Sequence, residues 1–551
     1  MDSIKIRFPD NSTVNCEYGT RASALVEHFG IPSCKIAAVK ENNEIRPLGT
    51  SLLVNAALEP VTIESPEGVM IYRRTLAFVL AIAARNIFPQ DGVYIGHSLG
   101  NSYYYTFCSG CIPKDGDIKK LEAEMRLLVE KNLPIAFNYL SYEEAVKLFK
   151  EMNQTDTTLL LEQRSSSYIK VNECQGYMDI YVQPLLERTG LLSSFELMPY
   201  QDGFLLRFPG IGKGNEIDSF KDEPQIFNVY NEYKKWGKII GVRVVGELNS
   251  RIADRTIKDY IRIAEAHQAR MMGDIARQIF TRREEIKMVL IAGPSSSGKT
   301  TSAKRLEIEL MVSGLKPIAI SLDDYYRGND ETPKDENGDP DWECLEALDV
   351  PFLNEQLQDL YAGKEITLPV YEFKTGSRKE GGRKIRLESD NILIVEGIHG
   401  LNDALTHSID RSTKFKIYIS ALTQLNIDDH NRIPTSDNRL LRRMVRDSQF
   451  RGMQASGTIK MWPKVQAGER KHIFPFQNSS DAAFNSALDY ELSVLKYYAD
   501  PLLRAIKPGR AEYAEAVRIL SFLDNFTPIP PGLVPGNSIL REFIGGSEFK
   551  Y

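Results

Sequence analysis

Between an apolar run, Met288 to Ala292 (MVLIA), and a helix-like stretch reaching Ser313 lies Gly293-Pro-Ser-Ser-Ser-Gly298-Lys299-Thr300, which satisfies G-x-x-x-x-G-K-[ST]. This loop constrains the fold tightly, because it works only where a buried strand hands over to a helix N-terminus. Small residues let successive backbone N–H groups curl around a β-phosphate, Lys299 reaches the β- and γ-oxygens, and the Thr300 hydroxyl can ligate Mg²⁺. Gly314 supplies the stop of the helix. The expected ATP ligands are Gly293, Pro294, Ser295, Ser296, Ser297, Gly298, Lys299, Thr300 and Thr301, with ATP and Mg²⁺ as the small molecules required.

Further apolar runs of buried-strand length follow at Pro317 to Leu322, Ile392 to Val395 and Phe415 to Ser420, separated by helical patterns. They predict an α/β fold with a parallel sheet flanked by helices. A chain of 551 residues exceeds what one core of roughly 250 to 300 residues can organise, so two to four domains are expected. Residues 1–62 read as a small α+β domain with short strands around a helical Ala22 to Phe29, and 63–215 as a second α+β domain. Residues 216–285 read as a connector with one long helix, Ile252 to Lys287. The P-loop domain is expected at 286–510, complete in itself once residues 1 to 215 are removed, and 511–551 as a Pro/Gly-rich C-terminal extension.

Composition excludes several classes. The longest apolar run, Thr75 to Ala84, is half of the roughly 20 residues a membrane span needs, so it predicts a buried helix. The amino terminus has no apolar h-region, and six cysteines in this length form no disulfide framework, so a cytoplasmic protein is expected. Net charge is −6, of which residues 1–210 carry about −5. No segment is a basic nucleic-acid binder, which argues against DNA and leaves RNA or ribosome contact without support from charge. Homo-oligomerisation stays open.

Phosphoryl transfer to an alcohol needs a carboxylate for the acceptor hydroxyl and an acidic group near the metal, both at carboxyl ends of sheet strands. Asp323 and Asp324 close one strand and Glu396 another. It also needs a site closed against water, and Arg439 to Arg451 (RLLRRMVRDSQFR) offers five arginines on or just beyond one helix.

Together these segments, over roughly 286 to 505, resemble the uridine kinase family of P-loop kinases, within the wider group that includes phosphoribulokinase. Ser321-Leu-Asp-Asp-Tyr-Tyr-Arg327 resembles that family's Q-D-S-F-Y-R, Pro369-Val-Tyr-Glu-Phe373 its P-V-Y-D-F, Val395-Glu-Gly397 its F-E-G, and Arg439 to Asp447 its R-L-S-R-R-V-L-R-D. The resemblance implies an ATP-dependent kinase acting on the 5′-hydroxyl of a nucleoside-like small molecule. By it, Asp323, Lys299 and Arg443 are catalytic and Thr300 and Glu396 hold the metal. Tyr326, Glu343, Tyr371, Arg446 and Arg451 hold the substrate, Glu343 standing where the family has a ribose-binding Asp. Two base-reading positions have changed: the family's His is Gly376, and its lid R-G-R is Arg451-Gly-Met453. An inserted stretch, Asn426 to Asp437, brings His430 and Arg432, which with His399 are candidates to face the site.

The first 210 or so residues resemble the amino-terminal half of threonyl-tRNA synthetase, a TGS domain followed by the editing-type second domain. Where that domain carries H-x-x-x-H this chain has Arg74 and Phe78, and for C-x-x-x-H it has Tyr181 and Leu185. Metal ligation and acid–base deacylation are thereby lost, which leaves a binding or regulatory domain. The competing readings are a sugar-phosphate or other small-alcohol kinase on the same scaffold, and a nucleotide-gated RNA- or ribosome-binding regulator.

Overall fold

The computed structural model describes residues 3–328, 330–335, 338–372, 375–379 and 381–550. Phe373, which ends the Pro369-Val-Tyr-Glu-Phe motif, lies outside them, as does Lys374.

The chain folds as α/β, with a five-stranded sheet in its C-terminal half. In order across the sheet the strands are Lys316–Ser321, Asn391–Glu396, Met288–Ala292, Lys414–Ser420 and Ala482–Asn485, and every pairing is parallel. All residues of Met288–Ala292 and Lys414–Ser420 are buried, as expected of strands covered on both faces. Even Lys414 and Lys416 point inward, their ammonium groups capped by the Thr406 carbonyl at 2.7 Å and by the Leu401 carbonyl at 2.9 Å with Asp403 at 2.6 Å. A buried charge is tolerated when such donors are satisfied.

Residues 3–62 form a separate five-stranded sheet with a 3-10 helix at Ala22–Phe29. Behind it, helix Pro66–Ile87 is capped by the Ser65 side chain accepting from the Gly68 amide, and it buries every residue from Thr75 to Ala84. It packs with a four-stranded sheet ordered Glu196–Tyr200, Gly203–Arg207, Ser102–Phe107, Val93–Ser98. Arg74 donates to the Pro184 carbonyl at 2.8 Å, while Phe78, Tyr181 and Leu185 are buried in this core. Among the described residues no helix is long and apolar enough to cross a membrane.

Three expectations need correction. The long helix of the connector spans Ile257–Thr281, not Ile252 to Lys287; Pro224–Ile240 and Val245–Ala253 precede it, and Arg255 at φ 60° breaks the last two apart. An arginine in the left-handed region carries no glycine-like signal that a sequence pattern could detect. The segment 511–551 is not a loose extension, since Ile529, Val534, Ile539, Leu540, Phe543 and Ile544 are buried in the core of the parallel-sheet region. Nor is that region self-contained after residue 215. Leu99, Tyr104, Tyr200 and Leu205 share one core with Ala292, Leu401, Tyr418, Leu422 and Ile473, so removing 1 to 215 would lay an apolar face open to water.

Candidate active site

The register aligns Ile291, Glu396 and Ser321 side by side, so the loops leaving three parallel strands open at one edge of the sheet. That edge is where doubly wound sheets bind ligands. The phosphate loop departs from Ala292. A Cβ on Gly293 would stand 2.0 Å from the Ile419 carbonyl oxygen, so only glycine passes there, and Gly298 at φ 80° caps helix Lys299–Val312. Lys299 folds back across the loop and donates to the carbonyls of Gly293 at 3.0 Å and Pro294 at 3.2 Å.

The loop is held from outside. Arg439 donates to the Ser295 carbonyl at 2.9 Å and pairs with Glu469, whose carboxylate accepts from the Ser295 amide at 2.8 Å. Arg442, fully buried, reaches the Ser296 carbonyl at 3.3 Å and pairs with Glu491 at 2.6 Å. Ser297 is tied by its carbonyl to the Ser486 hydroxyl. Two of the five arginines therefore hold the loop by its backbone carbonyls, and a third reaches one of its side chains. Arg443 donates to Ser295 Oγ at 2.7 Å. Arg443, Arg446 and Arg451 gather around buried Asp447 at 3.3, 3.3 and 3.6 Å. One buried carboxylate cannot neutralise three guanidinium groups, so the cluster keeps an uncompensated positive field towards the cleft.

Opposite stand the acids. Asp323 sits on a 3-10 turn, Leu322–Tyr325, with its amide donating to Ser321 Oγ at 3.3 Å. It opens to solvent at the cleft floor yet is closely surrounded by protein, which raises its pKa; Lys299, Arg451 and Arg446 oppose the rise. Glu396, last residue of its strand, accepts a hydrogen bond from the Thr300 side chain, and burial pushes its carboxyl up to about 7 against the pull of Lys299. Asp324 is engaged otherwise, accepting from the Tyr371 amide at 3.1 Å.

Glu343 likewise lies near Lys299 and Arg443. Burial, then the neighbouring Glu469, lift it to about 7. Around it Tyr326 meets Trp342 with ring centres 5.7 Å apart and Tyr371 at 5.9 Å, an aromatic wall beside the acids. Gly376 lies in the hairpin turn after Tyr371.

The candidates outside this cleft are corrected by geometry. His430 bonds Asp179 at 2.8 Å and Arg432 lies 5.2 Å over the Tyr103 ring, so the insertion docks on the second α+β region instead. His399, by contrast, is buried against the Glu343–Cys344 backbone beside the cleft, and burial lowers its pKa to about 4. Sequence reasoning missed Glu469, Glu491 and above all Glu542. The Glu542 carboxylate accepts from the Thr301 amide at 3.1 Å and the Thr301 hydroxyl at 2.6 Å, at the start of the phosphate-loop helix. Beside Thr300 and Glu542 a cavity of about 490 Å³ runs between Arg446, Phe450 and Phe549. No local pattern marks a carboxylate that meets its partner from 241 residues away.

A parallel sheet whose central strand feeds a G-x-x-x-x-G-K-T loop, with carboxylates on two neighbouring strand ends and an arginine helix across the cleft, defines a P-loop kinase domain. Comparison agrees: residues 288–493 match the model of the Phosphoribulokinase / Uridine kinase family. The N-terminal region is similar to threonine–tRNA ligases. Those of Thermotoga sp. (strain RQ2) and Pelobacter propionicus (strain DSM 2379 / NBRC 103807 / OttBd1) are each 30% identical over 199 residues, covering 35% and 36% of this chain. The chain spans about 30% of the length of these curated relatives. Among solved structures, "Structure of a Possible Uridine Kinase from Bacillus stearothermophilus" is 19% identical, with a TM-score of 0.25, covering 38% of this chain and 98% of that one.

Proposed function

We propose that this protein transfers the γ-phosphoryl of ATP to the 5′-hydroxyl of a nucleoside-like substrate. The observation that carries the reading is the placement of Asp323 within the field of Lys299, Arg446 and Arg451, beside the Tyr326, Trp342 and Tyr371 wall. In this reading Asp323 accepts the proton of the attacking hydroxyl, while the loop amides and Lys299 hold the β- and γ-phosphates. Arg443, reaching Ser295, and Arg446 and Arg451 neutralise charge that develops on the transferred group. Glu343 accepts from the sugar hydroxyls. Thr300 and Glu396, which hydrogen-bond each other, offer oxygen ligands that suit a hard divalent cation. Bound there, Mg²⁺ would neutralise phosphate charge and lower the pKa of Glu396.

Base selectivity is expected to be loose. Gly376 and Met453 stand where the related family reads a pyrimidine by hydrogen bonds, and a site without such partners does not penalise analogues lacking the matching edge. Aromatic walls stack on any flat base. With ATP and Mg²⁺, kcat/KM for uridine, cytidine, adenosine, guanosine and inosine should spread over less than about 10³. Preference for uridine above that over every purine nucleoside would contradict this account of the pocket. Turnover of sugars but of no nucleoside would favour the small-alcohol alternative.

Glu542 stands in the way of the nucleotide. An α-phosphate seated on the Thr301 amide must displace its carboxylate, and the two negative charges repel. Glu542→Ala should therefore tighten ATP binding by about tenfold in calorimetry. Weaker binding by the variant would mean that Glu542 contacts the nucleotide favourably.

A further inference from the structure

A second cavity, of about 610 Å³, lies outside the phosphate-loop cleft, where helix Pro66–Ile87, strand Val93–Ser98, helix Pro224–Ile240 and the segment carrying Gln424 to His430 meet. A volume of this size suits a small-molecule ligand. Its wall has an unusual polar inventory. Neither amide atom of Gln424 has a hydrogen-bond partner among the described residues, although both are buried. Gln154 is 8% exposed; its amide nitrogen donates to the Tyr177 hydroxyl at 3.0 Å, but its Oε1 is buried and without a partner. Buried polar groups are almost always paired, so an unpaired amide edge facing a cavity is the mark of a partner yet to arrive.

The remaining wall narrows what that partner is. Tyr94, Tyr177 and Tyr230 line it. Lys234 Nζ lies 5.1 Å over the Tyr94 ring and donates to Thr106 Oγ1 at 3.0 Å, Lys238 follows one turn later, and Arg85 lies 5.6 Å over the Tyr177 ring. The acids are already engaged. Asp156 pairs with Arg243 at 3.5 Å and hydrogen-bonds Asp429, whose carboxyl burial pushes up to about 8. Asp91 accepts from the Ser109 amide at 3.0 Å, and Asp489 accepts from the Tyr260 hydroxyl at 3.0 Å. What is left unsatisfied is a donor–acceptor amide edge, with Lys234, Lys238 and Arg85 on the same wall. We propose that this cavity is a second nucleotide site, sized for a nucleoside monophosphate, with the base edge on Gln424 and Gln154 and the phosphate near Lys234, Lys238 and Arg85.

The site is wired to the cleft by the chain itself. Gln424 to His430 lie on the segment that leads from strand Lys414–Ser420 into helix Thr435–Phe450, which carries Arg439 to Arg446. The Ile95 amide donates to the Asp429 carbonyl at 2.9 Å, so the second α+β region and the arginine helix share this strut. Occupancy would thus bias the arginine helix, a consequence that rests on the kinase reading; the binding site itself does not.

The test is hydrogen exchange on the full chain with uridine, cytidine, adenosine and guanosine 5′-monophosphates, each at about 2 mM, a concentration suited to sites of roughly millimolar affinity or better. At least one should protect amides in 85–94 and 230–238. Gln424→Leu should remove that protection while ATP still protects the phosphate loop, which reports that the variant is folded. If Gln424→Leu does not fold, Lys238→Glu at the exposed mouth should weaken binding about tenfold. No protection by any of the four, or binding within twofold of wild type in both variants, overturns the proposal. Protection in a protein that phosphorylates no nucleoside would keep the second site and remove only the kinase reading of the first.

Discussion

Lys299→Ala is expected to abolish measurable phosphoryl transfer. Lys299 is the cation nearest the phosphate loop, bridging two of its carbonyls, and it is also the group that holds Asp323, Glu396 and Glu343 towards their ionised forms. Its removal has two effects of the same sign. The charge developing on the transferred phosphoryl loses its closest compensation, worth about 10² to 10³ in rate or more. The three acids, already raised by burial, rise further, which weakens the base, the metal-binding Glu396 and the sugar-binding Glu343 together. Circular dichroism should be unchanged, because the side chain lines a loop and lies outside every apolar core. Activity within threefold of wild type would remove the phosphate-loop assignment.

Asp323→Asn should keep ATP binding within about threefold and cut turnover by roughly 10² or more, since an amide cannot accept the hydroxyl proton. Asp324→Asn is the control that the geometry supplies. Asp324 Oδ1 accepts from the Tyr371 amide, and an asparagine oxygen can accept the same bond, so that variant should lose little. A damaging Asp324→Asn with a mild Asp323→Asn would exchange their roles.

Much of the kinase region was legible because its signals are local. A strand, a glycine-bounded loop and a helix follow one another within 25 residues, Met288 to Val312, and the acids stand at strand ends that apolar runs announce. The fifth strand, Ala482–Asn485, escaped because four residues carry too little pattern to register. His430 and Arg432 were candidates for the cleft because they lie in a stretch inserted into the family pattern, but the docking of their loop on Tyr103 and Asp179 is a tertiary contact over more than 250 residues for His430. The same holds for Glu542 on Thr301 and for the core shared across residue 215, where only the folded chain brings the partners together. Phe78, Tyr181 and Leu185 are apolar or aromatic residues that the fold buries in one core, while the cavity bounded by Gln154 and Gln424 left no trace in the sequence.

The central claim is that an acceptor hydroxyl, not water, receives the γ-phosphoryl, and it is tested most directly by following both products of one reaction. Purified full-length protein with ATP labelled in the γ-phosphate, Mg²⁺ and a mixture of nucleosides should form labelled nucleoside 5′-monophosphate in step with ADP, with ADP formation falling at least tenfold when nucleosides are left out. ADP released at the same rate without nucleosides, with the label recovered as inorganic phosphate, would contradict the account and point to a nucleotide hydrolase or switch built on the same loop.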